Sequence, residues 1–276
     1  MRSVETCHVA AIQMTSGPVV DENLQVAARL LEEAARRRAV VAVLPENFSL
    51  MAVNDEDRLA VAEDDHGPVQ SFLAAQAQRL SMWVVAGSVP MTAPTEHKVR
   101  SVCLVIDPSG HTVARYHKVH LFDVRLDNGE EYRESAYIDP GECAPVVVDT
   151  PAGRLGLTIC YDVRFPEMYR RLVDLGAEWF VVPSAFTATT GRAHWEVLLR
   201  ARAIENLAYV VAPAQVGLHA NGRRTYGDTM IVSPWGEVLS RLARVPGVVT
   251  ADLDRIRVAH TRKTFPTIYH RRFEVR

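Results

Sequence analysis

The chain of 276 residues carries 31 basic against 33 acidic side chains, a formal charge of -2, with 48% hydrophobic and 23% charged residues. That balance allows a sizeable core and excludes a bulk electrostatic pull toward nucleic acid or an anionic membrane surface. No apolar run approaches the ~18 residues that a membrane span requires, and Cys7, Cys103, Cys143 and Cys160 lack the pairing and density of a disulfide framework.

Residues Met1 to Glu5 lead directly into a strand-like run, so neither an export leader nor membrane insertion is expected, and a reducing, cytoplasmic setting follows. Leu24, Ala27, Leu31 and Ala34 recur at helical spacing and predict a helix over 21–38, with acidic residues early and Arg36, Arg37 and Arg38 last, where they suit the helix dipole. The apolar run 40–45 reads as a strand that delivers Glu46. An acidic loop through Asp64 and Asp65 precedes a helix opened by Pro68, with Phe72, Leu73 and Leu80 on its apolar face, and then a strand over 83–87. Turns at 107–110 and 151–153 read as hairpins. Between them, the run 112–117 delivers Lys118. The strand 155–159 ends at Cys160, and a helix over 166–175 stops at Gly176. A strand over 179–183, a helix over about 193–207, strands over 209–211 and 229–232, and a turn at 233–236 follow. The alternation is α/β, and with no Gly/Ser/Pro-rich linker the expectation is one domain over 1–276. Segments 43–48 and 181–186 share Val, Pro and Phe at identical spacing, an echo of two halves that would set Ser184, Ala185 and Phe186 beside the same cleft as Glu46.

Three strand ends thus carry Glu46, Lys118 and Cys160. Amide hydrolysis needs a nucleophile, a base for its proton, an acid for the leaving amine and positive charge or N–H donors for the oxyanion. Cys160 suits the first role, Glu46 the second and third, and Lys118 with the backbone N–H of Tyr161 the last. Glu46 would then activate the water that cleaves the thioester. Lys118 is also expected to favour the thiolate, since a nearby cation lowers an acidic pKa. It needs a carboxylate to hold it, for which Glu134 is chosen ahead of Glu130, Glu131 and Glu142. Cys7, Cys103 and Cys143 read as structural.

The segments 44–46, 117–123 and 159–167 together resemble the catalytic motifs of the nitrilase, or carbon-nitrogen hydrolase, superfamily. The resemblance spans nearly the whole chain. It implies a four-layer α-β-β-α sandwich, a catalytic triad at Glu46, Lys118 and Cys160, a supporting Glu134, no metal or organic cofactor, and a homodimer paired through the sandwich faces beside the active site. Residues 190–196 resemble the branch of ω-amidases and deaminated-glutathione amidases, which act on amides of dicarboxylic 2-oxo acids, and 214–217 and 222–227 are similar to the latter. Arg192 departs from the Pro that relatives often have there.

Such a small-molecule amide carries carboxylates, so cationic residues are required in its pocket. Arg164, four residues after the nucleophile, is the first choice, ahead of Arg223, Arg224 and His219. Tyr161, Phe186 and Thr187 are expected to line the cleft. The expected activity is a cysteine-dependent amidase acting on deaminated glutathione. The alternatives are ω-amidase action on 2-oxoglutaramate, hydrolysis of an N-carbamoyl compound or a nitrile, and an idle interaction protein on the same scaffold. A nucleic-acid partner is not expected, because acidic neighbours interrupt the basic clusters at 36–38, 262–263 and 271–272.

Overall fold

The computed structural model describes residues 5–54, 56–127 and 129–273. Two six-stranded sheets form its centre. In spatial order the first consists of Gly247–Asp254, Thr6–Gln13, Val41–Val43, Trp83–Thr92, Val99–Ile106 and Thr112–His117. The second consists of Val238–Leu242, Thr229–Val232, Tyr209–Ala212, Trp179–Val181, Gly153–Leu157 and Val147–Thr150. Each sheet has three parallel strands in sequence order, flanked by antiparallel ones on both sides. Helices join the parallel strands, as a crossover requires: Val20–Arg36 and Pro68–Leu80 in the first sheet, Pro166–Asp174 and Ala188–Asn206 in the second.

Side-chain alternation sets the layers. In the first sheet Val9, Ala11, Val43, Val85, Cys103 and Val105 pack toward the second sheet. The intervening Ala10, Ile12, Ala42, Val84, Ala86, Leu104 and Ile106 pack with Ala27, Leu31, Leu73 and Ala77 of the two helices outside. Strands buried on both faces read as continuous apolar runs, which is why these segments carry no polar alternation. On the other side, Leu172, Trp195, Leu199 and Ala203 cover the second sheet, with Gly156 leaving room for Phe180 and Leu172, since a Cβ there would stand 2.9 Å and 3.1 Å from them. The result is the expected four-layer α-β-β-α sandwich.

Several boundaries differ from the sequence reading. The helix expected from about residue 193 begins at Ala188, where Thr187 caps it by accepting a hydrogen bond from the N–H of Thr190 at 3.3 Å. Gly191 masked that start, because glycine is a poor helix former. The strand expected to run into Cys160 ends at Leu157, and residues 160–164 form a 3₁₀ turn before Pro166–Asp174. The acidic loop contains a short helix, Glu56–Ala60.

Candidate active site

The site lies at the ends of the parallel strands. Beyond Val41–Val43 the chain runs through Leu44 and Pro45 against the neighbouring strand, where only a glycine fits: a Cβ on Gly87 would stand 2.3 Å from the Leu44 carbonyl oxygen. This close approach delivers Glu46, 3% exposed, into the interior. Lys118, 2% exposed, follows Thr112–His117, its own N–H donating to Ser101 O at 2.9 Å.

Cys160, 7% exposed, adopts φ +46°, a left-handed conformation that costs roughly 1–2 kcal/mol in a residue with a Cβ. Fixed partners hold it there. Its N–H donates to Pro183 O at 2.9 Å, and the N–H of Ile159 donates to Asp162 Oδ2 at 2.8 Å. Asp162 is fully buried and also accepts from the Tyr116 hydroxyl at 2.7 Å, while its Oδ1 lies 2.7 Å from His120 Nδ1. One carboxylate therefore ties the nucleophile turn to the segment on either side of Lys118. The sequence reading missed this role, although Asp162 stood inside the quoted motif.

Lys118 Nζ donates to Glu46 Oε1 at 2.8 Å and to Glu134 Oε1 and Oε2 at 2.7 and 2.9 Å. Glu134 Oε2 accepts from the Phe122 N–H at 2.6 Å as well. The other carboxylates considered for Lys118 are elsewhere: Glu131 and Glu142 are exposed, and Glu130 accepts from the hydroxyls of Tyr132 and Thr189, both at 2.8 Å. Glu46 Oε2 accepts from the Ala185 N–H at 2.7 Å, which brings the two echoing segments together.

These contacts set the charges. Burial acts to raise the Glu46 carboxyl, but the Lys118 ammonium outweighs it and holds the group below the ordinary carboxylate range. Burial acts to lower Lys118, yet Glu134 and Glu46 drive it well above the usual lysine value. For Cys160 burial and then the Glu46 charge push the thiol up, and Lys118 only partly opposes them. Lys118 thus acts toward the thiolate, as the sequence reading expected, but burial and the Glu46 charge outweigh it. A protonated thiol against a carboxylate, with an ammonium alongside, can deliver its proton to that carboxylate as it attacks.

A cleft opens on Cys160, with Glu46 and Lys118 in its lining. Tyr161, Phe186 and Thr187 line it, as expected. Arg164 is not among the lining residues: its guanidinium is 5.8 and 5.1 Å from the ring centroids of Tyr161 and Phe186, with Nη1 3.3 Å from His194 Nδ1. Arg224 is exposed, and His219 is buried between Ser16 O and the Thr225 hydroxyl at 2.9 and 2.7 Å. The cations that do line the cleft, besides Lys118, are Arg223 and Arg58. Arg58 comes from the unanticipated helix Glu56–Ala60, so a reading of that stretch as loop could not find it. Tyr132 and Tyr137 also line the cleft and were likewise unforeseen.

The sequence matches the family described as carbon-nitrogen hydrolase over residues 8–263. It is 45% identical over 266 residues to a protein of Synechocystis sp. named deaminated glutathione amidase, covering 96% of this chain and 97% of that protein. A mouse protein of the same name is 40% identical over 267 residues, covering 96% of this chain and 83% of its own. Among solved structures, the nitrilase and fragile histidine triad fusion protein NitFhit of Caenorhabditis elegans superposes with a TM-score of 0.90 at 37% identity. The match covers 98% of this chain and 66% of that one.

Proposed function

Because the chain belongs to the carbon-nitrogen hydrolase family, we propose that it is a cysteine-dependent amidase whose substrate is deaminated glutathione. Two facts support the substrate: relatives so named are 40–45% identical to this chain over nearly its whole length, and cations line the cleft. The observation that carries the reaction is the contact of Glu46 with Lys118 and Ala185 in the cleft that Cys160 also lines.

In this reading Cys160 Sγ attacks the scissile carbonyl carbon while its proton passes to Glu46. The Lys118 ammonium and the N–H of Tyr161 stabilise the oxyanion. As the intermediate collapses, the C–N bond breaks and Glu46 returns the proton to the departing amine of Cys-Gly, leaving a thioester on Cys160. Water, deprotonated by Glu46, then attacks the thioester; 2-oxoglutarate leaves and the proton returns to the thiol. Glu134 holds Lys118 charged and in place throughout. The cycle needs no external oxidant, reductant or cofactor.

The same reading makes the chain one domain over 1–276 and a homodimer in a reducing, cytoplasmic setting, without nucleic-acid or membrane partners. All four cysteines are unpaired, and no helix among the described residues is long and apolar enough to cross a membrane. Val197 and Ile204 on one helix, and the Trp235–Phe265 ring pair, leave apolar surface that a second copy would cover.

The deciding measurement is kcat/KM for deaminated glutathione and for 2-oxoglutaramate side by side, with Cys160→Ala as the blank. A preference of tenfold or more for deaminated glutathione, about 1.4 kcal/mol of transition-state stabilisation, is expected. The reverse preference makes the chain an ω-amidase, and turnover of neither removes the substrate assignment.

A further inference from the structure

Lys118 is the cation that the chemistry at Cys160 requires, so a guanidinium coupled to the same centre needs a separate purpose. Arg223 is such a group. It stands at the base of the strand Arg224–Tyr226, in the turn that follows Val216–Leu218, where its N–H donates to Asn221 Oδ1 and its carbonyl accepts from the His219 N–H, both at 2.9 Å. Its side chain is fixed on two sides. Nη2 donates to Ala185 O at 2.5 Å, and the guanidinium lies 5.3 Å from the centroid of the Tyr132 ring. Ala185 also gives its N–H to Glu46, so a single residue separates Arg223 from the base of the reaction. Neither Nε nor Nη1 has a hydrogen-bond partner among the described residues, and no carboxylate among them pairs with the group.

A guanidinium that lines a cleft, is held in plane by a ring and a carbonyl, and has no carboxylate of its own is arranged to take one from a ligand. We propose that Arg223 is a specificity-determining residue that receives the carboxylate on the acyl side of the scissile amide, the one next to the 2-oxo group. The proposal rests on deaminated glutathione being the substrate. Reach decides between the two carboxylates of that molecule. Four bonds, about 5 Å when extended, separate the scissile carbonyl carbon from the acyl carboxylate, against six bonds to the glycyl carboxylate of the leaving group. Arg223 is one residue from Glu46, and the shorter arm fits it. Arg58 is placed differently: it lies 4.5 Å from the Tyr137 centroid and also lines a neighbouring cavity, beside Ser88 and Arg100, that Cys160 does not reach.

The test compares wild type, Arg223→Met and Arg223→Lys on three substrates: deaminated glutathione, N-levulinoyl-cysteinylglycine, in which a methyl replaces the acyl carboxylate, and deaminated glutathione with its glycine amidated. In wild type the levulinoyl compound should fall by about 10²-fold or more in kcat/KM, because the guanidinium is left desolvated and unpaired, while the glycinamide compound changes little. Arg223→Met should lose a similar factor on deaminated glutathione and almost nothing on the levulinoyl compound, with Arg223→Lys between. Equal losses on both substrates in the variant would reduce Arg223 to a structural part and overturn the proposal. So would equal turnover of the two by wild type, a comparison that requires no variant to fold. Sensitivity to the glycinamide change instead would move the contact to the leaving group and overturn the acyl assignment. If wild type fails to turn over deaminated glutathione at all, the substrate reading falls and takes this proposal with it.

Discussion

Lys118 sits between two carboxylates while almost wholly excluded from water, and that arrangement decides how activity responds to pH. In the proposed mechanism Glu46 must be ionised to accept the thiol proton, and its carboxyl is held below the ordinary value, so it becomes protonated only as pH falls through a range lower than that of free carboxylates. Lys118 must be charged, and it is held well above the ordinary lysine range, so it is lost only at high pH. Both signs widen the plateau. With the thiol's proton taken inside the site, kcat/KM should be flat between roughly pH 5.5 and 9. An ionisation near neutrality in that profile would mean that a resting thiolate or a protonated Glu46 governs the reaction. The convergence of Glu46, Lys118 and Cys160 on one cleft was legible in the sequence because each follows an apolar run, and the contact of Lys118 with Glu134 because a buried ammonium needs a carboxylate. The state of the thiol was not legible. It is set by burial and by the Glu46 charge, and neither has a local signature. Arg223 lines the cleft while Arg164 is not among its lining residues, since nearness in sequence to Cys160 says nothing about which side chains face the opening.

At the scale of elements, the cleft depends on a hairpin pressed against a helix. The strands Val216–Leu218 and Arg224–Tyr226 pair with each other, and the Tyr226 N–H donates to Phe186 O at 2.9 Å, which ties the hairpin to the segment that enters Ala188–Asn206. Gly191 in that helix permits the contact: a Cβ there would lie 2.4 Å from Tyr226 Cβ and from its Cγ. Alanine in an exposed helix is usually better than glycine by ~1 kcal/mol. Here the clash dominates, because the obstructing atoms belong to the root of a side chain fixed in a strand, and overpacking costs about 1–3 kcal/mol. Gly191→Ala should therefore lower Tm, and, by pushing the hairpin that carries Arg223 outward, raise KM for deaminated glutathione more than it lowers kcat. A higher Tm, as helix propensity alone would give, would contradict the close approach. The same glycine explains the misplaced helix start: its presence signals tertiary contact, whereas the sequence reading took the local breaker at face value.

For the molecule as a whole, the two sheets repeat one plan, an antiparallel strand, three parallel strands joined by helices, then two antiparallel strands. Val41–Val43 and Trp179–Val181 occupy the same place in it, so the faint echo between 43–48 and 181–186 marks equivalent strand ends, which meet where Ala185 binds Glu46. Chain ends from both sheets must therefore be kept in register, and two fully buried glutamines do this. Gln13, at the end of Thr6–Gln13, accepts from the Thr229 N–H at 2.9 Å and donates to Ala243 O and Val245 O at 2.9 and 2.7 Å. Gln215, beyond Tyr209–Ala212, accepts from the Ser16 N–H at 3.0 Å and donates to Ser16 Oγ at 2.7 Å and to the backbone oxygen of Glu46 at 3.0 Å. Replacing either by Leu strands several buried polar groups, each worth about 1–3 kcal/mol, so Gln13→Leu and Gln215→Leu should lose comparable stability in urea titrations. Their activities should part. Gln215 touches the residue that carries the base, and kcat should fall by about tenfold or more in that variant, since small displacements of a catalytic group are costly. Gln13 touches no residue of the triad, and kcat should stay near wild type wherever that protein remains folded. Equal kcat in the two variants would mean that the seam between the sheets supports the site only through global stability, not by aiming Glu46.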